Sequence, residues 1–134
     1  MGHKVNPIAF RLGIQRDWSS RWFNKKNFRN FLEEDFKLRE FIQKKLAKAS
    51  VESVDITRSG NFISVIVRSA RPGIIIGRGG KGLEDLQLDL KKELNKIAKK
   101  RNIKPVYTFK LEIEEIKRPE MFAVLVGKNV AEQL

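Results

Sequence analysis

Four consecutive residues, Gly77-Arg78-Gly79-Gly80, have the types and the spacing expected of a loop that binds another molecule's backbone. Glycine has no side chain to obstruct a close approach, and it adopts backbone dihedrals that other residues resist. Arg78 adds a permanent charge and a planar set of hydrogen-bond donors. This combination favours the sugar-phosphate backbone of RNA as the bound group.

The elements predicted on either side of the loop strengthen this interpretation. A short apolar run precedes the loop at residues 73–76, and a long helical pattern follows it. The first amides of a helix have no partner within that helix and attract phosphate, so we expect outward-facing N–H groups from Gly80 onward. Arg78, Lys81 and Arg71 would add Coulomb attraction and displace counterions.

Two enzyme motifs are similar to this loop, and neither fits. Residues 77–82 match the pattern GxGxxG, but a dinucleotide site needs a strand just before the loop and an acidic residue about 20 positions later. The downstream region, residues 99–101, is entirely basic. A P-loop needs Ser or Thr after its lysine, whereas Lys81 is followed by Gly82. A turn between two helices, in which the glycines only serve backbone geometry, stays open as the alternative.

The composition argues against several classes of protein. The chain has 134 residues, enough for one domain with one hydrophobic core. It has no cysteine, and His3 is its only histidine, which leaves little material for a thiolate metal site or a catalytic triad. We therefore expect no enzyme activity, metal, cofactor or small-molecule substrate. No apolar stretch is long enough to span a membrane and no signal-peptide core follows Met1, so we expect a cytoplasmic protein.

The charge indicates a polyanionic partner. Lys and Arg number 28 and Asp and Glu number 16, for a net charge of +12 and an isoelectric point near 10.2. Residues 1–48 carry +7, residues 49–104 carry +6 and residues 105–134 carry −1. The glycine loop thus lies in the basic part of the chain, as expected for a loop that binds nucleic acid.

The periodicity of the apolar residues predicts a mixture of helices and strands. Leu38, Ile42 and Leu46 recur at helical spacing, and Asp35 is a candidate N-cap that would divide their segment into two helices. The predicted elements, in order, are a helix over 28–49, strands over 51–57 and 62–68, a short helix over 73–76, a helix from the loop to about residue 101, a strand around 107–113 and a helix over 121–134. This order is typical of an α+β fold in which helices cover a small sheet.

The first 27 residues lack regular periodicity but are rich in aromatic side chains. Eight of the twelve aromatic residues fall within residues 1–41: Phe10, Trp18, Trp22, Phe23, Phe28, Phe31, Phe36 and Phe41. Disordered arms lack such side chains, so we expect this segment to fold onto the domain or onto a partner. Stacking of the rings on nucleic-acid bases is the alternative.

Five strings of residues together carry a resemblance to a known family: 72–80 (PGIIIGRGG), 1–7 (MGHKVNP), 10–13 (FRLG), 20–23 (SRWF) and 117–120 (KRPE). They resemble the family of bacterial small-subunit ribosomal protein three, over nearly the whole chain. The resemblance implies a type-II KH domain of α+β class, with a three-stranded sheet covered by helices on one face. It implies an irregular aromatic and basic extension with a helix at 1–34, the KH type-2 RNA-binding domain at 35–118, and at 119–134 the start of a helix leading to a C-terminal domain.

The same resemblance implies a structural, RNA-binding component in the head of the small ribosomal subunit, near the entry path of the messenger RNA. The implied partners are small-subunit rRNA, mRNA and small-subunit ribosomal proteins ten and fourteen. The resemblance assigns RNA contact to the loop and rRNA anchoring to the basic N-terminus. Arg71 is added to the candidates because it lies close to the loop. The candidate RNA-binding residues are Gly77, Arg78, Gly79, Gly80, Lys81, Arg71, Lys4, Arg11 and Arg21. A free-standing KH-type regulator that binds RNA or DNA is the alternative.

Two features depart from the family's pattern. The family has a second α+β domain after the point that corresponds to Leu134, and the last helical pattern reaches that residue without a capping glycine, so we expect the chain to be cut there. The stretch from Ile97 to Tyr107 is longer and more basic than the usual pattern. It provides either an added RNA contact or a solvated helix end, through Lys99, Lys100, Arg101 and Lys104.

Overall fold

The computed structural model describes residues 1–102 and 107–134, so the predicted basic residue Lys104 lies outside the described ranges. The helices are α1 (Pro7–Phe10), α2 (Phe28–Lys45), α3 (Pro72–Ile76), α4 (Lys81–Lys100) and α5 (Ala123–Gln133). The strands are β1 (Ser20–Arg21), β2 (Val51–Ser59), β3 (Phe62–Ser69) and β4 (Thr108–Glu115). Short 3-10 helices lie at Ala47–Ala49, Arg78–Gly80 and Pro119–Met121.

The strands of the described residues form one sheet in the order β1-β2-β3-β4. β2 and β3 form an antiparallel hairpin around Gly60, whose φ of 57° suits glycine. β3 and β4 pair in parallel, because α3, the loop and α4 form the connection between them. The predicted α+β architecture is confirmed. The sheet has one strand more than the three predicted, since β1 of the N-terminal extension pairs in parallel with β2 opposite Ile56 and Thr57.

One face of the sheet carries the hydrophobic core. Successive side chains of a strand point to opposite faces, so alternate residues of β2, β3 and β4 share the face against which α2 and α4 pack. The buried residues of this face include Val54, Ile56, Ile63, Val65, Val67, Phe109 and Leu111. Leu38 and Ile42 of α2, with Leu86 and Leu90 of α4, complete the cluster. The opposite face carries charged residues, among them Arg68.

α2 and α4 run antiparallel to each other. Arg101 at the end of α4 pairs with Glu33 near the start of α2, and Lys45 at the end of α2 pairs with Asp89 within α4. α2 is continuous through Asp35, so the interpretation of Asp35 as an N-cap that divides this segment was wrong. The physical reason is that its side chain is fully buried and paired with a buried arginine.

That arginine, Arg58, forms a buried charge cluster between the sheet and α2. Its guanidinium donates to one oxygen of Asp35 at 2.6 and 3.0 Å and to Glu34 at 2.8 Å. It also lies over the ring of Phe31, with 4.6 Å between the guanidinium carbon and the ring centroid. Arg101 reaches Glu34 from α4 at 3.3 Å. Because the burial of a charge is tolerated only when it is paired and hydrogen-bonded, the cluster fixes these elements together.

The same carboxylate holds the N-terminal extension. The second oxygen of Asp35 accepts hydrogen bonds from the hydroxyl of Ser20 at 2.9 Å and from the indole N–H of Trp22 at 2.7 Å. Arg39, one turn further along α2, donates to the carbonyl of Ser19 at 2.9 Å and to the hydroxyl of Ser20 at 2.7 Å. These bonds place β1 beside β2, so this part of the extension folds onto the domain, which is one of the two predicted alternatives.

α3 and α4 touch through their backbones at Gly82. A Cβ atom at this position would lie 2.6 Å from the carbonyl oxygen of Ile75 and 2.9 Å from that of Ile76. A Cβ atom at Gly77 would lie 3.2 Å from the amide nitrogen of Gly82. Glycine at both positions therefore lets the last turn of α3 rest on the first turn of α4, and this contact fixes the ends of the loop between them.

The buried cluster gives a first prediction, for Arg58→Ala. The substitution leaves Glu34 and Asp35 without their main partner, and we expect the free energy of unfolding to fall by about 3–5 kcal/mol. Arg68→Ala is the matched control, because it removes an exposed arginine that pairs with Asp55 and Glu114 on the neighbouring strands. It should cost at most about 1 kcal/mol. Urea unfolding measures both, and equal losses would contradict the role assigned to the cluster.

The contact at Gly82 gives a second prediction, for Gly82→Ala. The added methyl group meets main-chain carbonyls that cannot move away alone, so we expect a loss of about 1–3 kcal/mol in the free energy of unfolding. Gly73→Ala is the matched control, since this helical glycine of α3 has no atom within 4 Å of a built Cβ. Thermal unfolding should show it as neutral or slightly stabilised. A stable Gly82→Ala variant would show that this close contact does not constrain the loop.

Candidate nucleic-acid interface

Each glycine of the loop has a positive φ angle, a conformation that favours glycine. The φ angles are 69° at Gly77, 64° at Gly79 and 76° at Gly80. Gly77 ends α3, and its N–H donates to the carbonyl of Gly73 at 3.0 Å, as is typical of a helix-ending glycine. Backbone geometry alone therefore requires glycine, or a residue that tolerates this conformation, at all three positions. It does not account for the basic residues around them.

The loop leaves open space where a ligand backbone would approach. A Cβ atom built at Gly79 or Gly80 would meet no other atom within 4 Å. This contrasts with Gly77 and Gly82, which face each other at the junction of the two helices. The glycines of this region therefore have two roles, since one pair holds α3 and α4 together and the other pair leaves the main chain accessible.

The cations beside the loop have no partner in the described part of the chain. Arg71, Arg78 and Lys81 are exposed, and their side chains make no ion pair within residues 1–102 and 107–134. Gly80 is the N-cap of α4 and supplies no side-chain hydrogen bond to the first amides of that helix. The N–H of Lys81 donates to the carbonyl of Arg78, so the expectation of free amides from Gly80 onward was wrong for this residue. The positive end of the dipole of a long helix, with unpaired cations beside it, still forms a surface that attracts phosphate.

The position of Arg71 is fixed by a buried serine. The backbone N–H of Arg71 donates to the hydroxyl oxygen of Ser69 at 3.0 Å, and that hydroxyl donates to the carbonyl of Ala49. Ser69 is fully buried at the end of β3. The start of α3 is thus tied to the end of the sheet and to the turn that follows α2, so the loop region rests on a fixed support.

The other three predicted residues lie in the N-terminal extension, on elements separate from the loop. Lys4 is exposed before α1, and Arg11 follows α1 and donates to the carbonyl of Pro7 at 3.2 Å. Arg21 is exposed in β1 and pairs with Asp17. Five of the nine predicted residues thus form the loop and the start of α4, whereas Arg71 lies at the other end of α3, where it lines a cavity with Leu125 and Lys128 of α5. The remaining three lie on separate parts of the extension.

The aromatic side chains of the extension divide into packed and exposed ones. Trp22 packs against Phe28 and Phe31, with 5.4 Å between ring centroids in each pair. Trp18 and Phe23 stay 61% and 84% exposed. Packing on the domain thus explains Trp22 and Phe31, whereas the exposed rings are accessible to a partner or to bases.

Arg101 belongs to the fold and not to the group of free cations at the end of α4. It pairs with Glu33 and Glu34, and its side chain is only 17% exposed. Hydrogen bonds from Lys37 and from Arg101 lower the pKa of Glu33 to about 2. Of the predicted basic set, Lys99 and Lys100 stay exposed at the end of the helix.

Sequence reasoning missed the buried cluster, although the sequence contains its signal. Arg58 continues the alternation of Val54 and Ile56 along β2, so its phase places it on the buried face. Glu34 lies four residues before Leu38 and therefore on the apolar stripe of α2. A cation and an anion that both occupy positions on the buried faces of their elements predict a buried ion pair.

Two other kinds of site are absent from the described ranges, 1–102 and 107–134. No helix there has the length and the apolar character needed to cross a bilayer. No group of three or more His, Asp or Glu residues there is arranged to hold a metal ion.

Comparison with known proteins identifies a family and several relatives of this chain. Residues 37–121 match the model of a KH domain family, and this range contains the glycine loop. The chain is 43% identical to the small ribosomal subunit protein uS3 of Lawsonia intracellularis, 43% identical to that of Levilactobacillus brevis and 44% identical to that of Pediococcus pentosaceus. Each alignment covers 100% of this chain, but only 58%, 56% and 55% of the three relatives, respectively.

The family match and the structure describe the same region. The matched range covers more than half of the chain and includes β2, β3, β4 and the two helices that flank the loop. The predicted resemblance to ribosomal protein three is confirmed by the relatives, all of which carry the name uS3. The chain spans little more than half of the length of these relatives. It belongs to the KH domain family.

Proposed function

We propose that this chain is a structural, non-enzymatic component of the small ribosomal subunit, and that it binds small-subunit rRNA through its glycine loop. The observation that carries the proposal is the accessible backbone of Gly79 and Gly80 between unpaired cations. Identity of 43–44% to proteins named small ribosomal subunit protein uS3 supports the ribosomal assignment. A KH domain that clamps the backbone of a short stretch of nucleotides with its GXXG loop is a known mode of RNA binding.

The proposed contact is a phosphate held at the start of α4. Its oxygens face the positive end of the α4 dipole, while Arg78 and Lys81 supply opposite charge. Ile74 and Ile76 are 57% and 39% exposed and offer an apolar surface to the bases of the same strand. Phosphate contacts of this kind position the RNA without reading its sequence, so the interface recognises a backbone rather than a base code.

The finer parts of the proposal rest on the family resemblance. We place the protein in the cytoplasm, in the head of the small subunit, near the entry path of the mRNA, with contacts to mRNA and to small-subunit ribosomal proteins ten and fourteen. We assign rRNA anchoring to Lys4, Arg11 and Arg21. The division into an extension at 1–34, a KH domain at 35–118 and a helical start at 119–134 stays a prediction, and α2 crosses its first boundary.

A double substitution, Arg78→Asp with Gly79→Asp, tests the loop. Aspartate tolerates a left-handed backbone, so the fold should persist with a loss of about 1 kcal/mol. The added negative charge should weaken binding to a small-subunit rRNA transcript. The slope of log affinity against log salt should fall by about 0.7–0.9 for each phosphate that the variant no longer binds. Filter binding at several salt concentrations measures both quantities, with circular dichroism to confirm folding.

The matched control is Gln43→Asp with Lys44→Asp, two exposed positions on α2. It changes the net charge of the protein by the same amount but leaves the loop intact. We expect it to retain affinity close to that of the wild type. If both double variants lose the same affinity for the transcript, binding depends only on net charge. If the loop variant binds as tightly as the wild type, the loop is not part of the interface.

A further inference from the structure

The two halves of α4 carry opposite charge. Residues 81–90 contain one basic residue, Lys81, and three acidic ones, Glu84, Asp85 and Asp89. Residues 91–100 contain one acidic residue, Glu93, and five basic ones. These five are Lys91, Lys92, Lys96, Lys99 and Lys100, and all of them are exposed. The helix thus has a positive surface at its far end, separated from the glycine loop by an acidic half.

Three of these lysines form a row on one exposed stripe of the helix. Lys92, Lys96 and Lys99 are spaced by four and three residues, which places them one above another over about 10 Å. Lys92 lies 3.6 Å from Asp89 and Lys96 lies 2.7 Å from Glu93. Such exposed pairs contribute little and are easily exchanged for a stronger anion. Lys99 makes no ion pair within the described residues.

Stabilisation of the helix explains only a small part of this row, because the pairs that Lys92 and Lys96 make with acidic residues three positions earlier contribute little. Cations favour the C-terminal dipole only within about the last turn, and this accounts for Lys99 but not for Lys92 or Lys96. The opposite side of this helical segment is buried through Leu94 and Ile97. Arg101 pairs with residues of α2 just beyond the row. The row is therefore presented on a rigid support, which lowers the entropic cost of binding an extended anion.

We propose that Lys92, Lys96 and Lys99 form a second contact for the phosphate backbone of a folded RNA, separate from the glycine loop. This inference rests on the proposed function and names a further surface for it. α4 contains no aromatic residue to stack on bases, so the row is suited to the backbone alone. Glu84 and Asp85 repel phosphate between the two contacts. A single strand therefore does not follow the helix from one to the other, and a folded RNA reaches both with different segments.

The test compares two pairs of substitutions with the same spacing. Lys92→Gln with Lys99→Gln removes two charges from the row, and glutamine keeps a similar helix propensity. Lys37→Gln with Lys44→Gln is the control on the neighbouring helix, seven residues apart as in the first pair. With a small-subunit rRNA transcript, the first pair should lower the salt slope by about 1.4–1.8, whereas the control should leave it unchanged. With a single strand of about ten nucleotides, the first pair should bind as tightly as the wild type, because so short a strand engages the loop alone.

Equal slopes for the two pairs on the transcript would overturn this inference. A second result would also overturn it: poly-glutamate binds the wild-type chain but not the Lys92→Gln, Lys99→Gln variant, while both bind the transcript equally well. The row would then serve an acidic protein segment. The loop variant Arg78→Asp with Gly79→Asp separates this failure from failure of the proposed function. Transcript binding that depends on the loop but not on the row contradicts the second contact alone, whereas transcript binding that is independent of the loop contradicts the proposed function.

Discussion

The carboxylate of Asp35 is the point on which the arrangement of the fold depends. It is fully buried and receives four hydrogen bonds, two from Arg58 of β2 and one each from Ser20 and Trp22 of the N-terminal extension. A buried carboxylate without these donors would be strongly destabilising, so the donors must assemble together. Packing of α2 on the sheet and docking of the extension therefore depend on each other, and Arg21 is carried on the docked strand β1.

Some arginines of this protein are paired within the fold, whereas others are exposed and accessible to a ligand. Arg58 and Arg101 are used within the fold, since each is largely buried and holds carboxylates of α2. Arg71 and Arg78 are exposed and make no ion pair in the described part of the chain. Arg78 lies in a loop whose ends are fixed by backbone contact at Gly82, and Arg71 begins the helix that leads to this loop. A rigid junction thus presents free charge beside accessible main chain, which suits a polyanionic backbone.

The sequence predicted those features that are decided by local pattern. The alternation of Ile63, Val65 and Val67 and the leucine spacing of α4 determine which faces are buried, so strands and helices were placed within a few residues. The two-residue strand β1 was missed because its pairing depends on hydrogen bonds made by α2, which leave no periodic signal nearby. Asp35 was misinterpreted because aspartate suits both an N-cap and a buried ion pair. The choice is made by Arg58, 23 residues away.

The most direct test of the central claim is sedimentation of the wild-type chain with small ribosomal subunits. A ribosomal component that binds rRNA through phosphate contacts should travel with the subunit through a gradient at physiological salt and be released as the salt concentration rises. We expect the chain to form a peak that coincides with the small subunit. A chain that stays at the top of the gradient while it still binds short RNA would contradict the ribosomal assignment and favour a free-standing KH-type regulator.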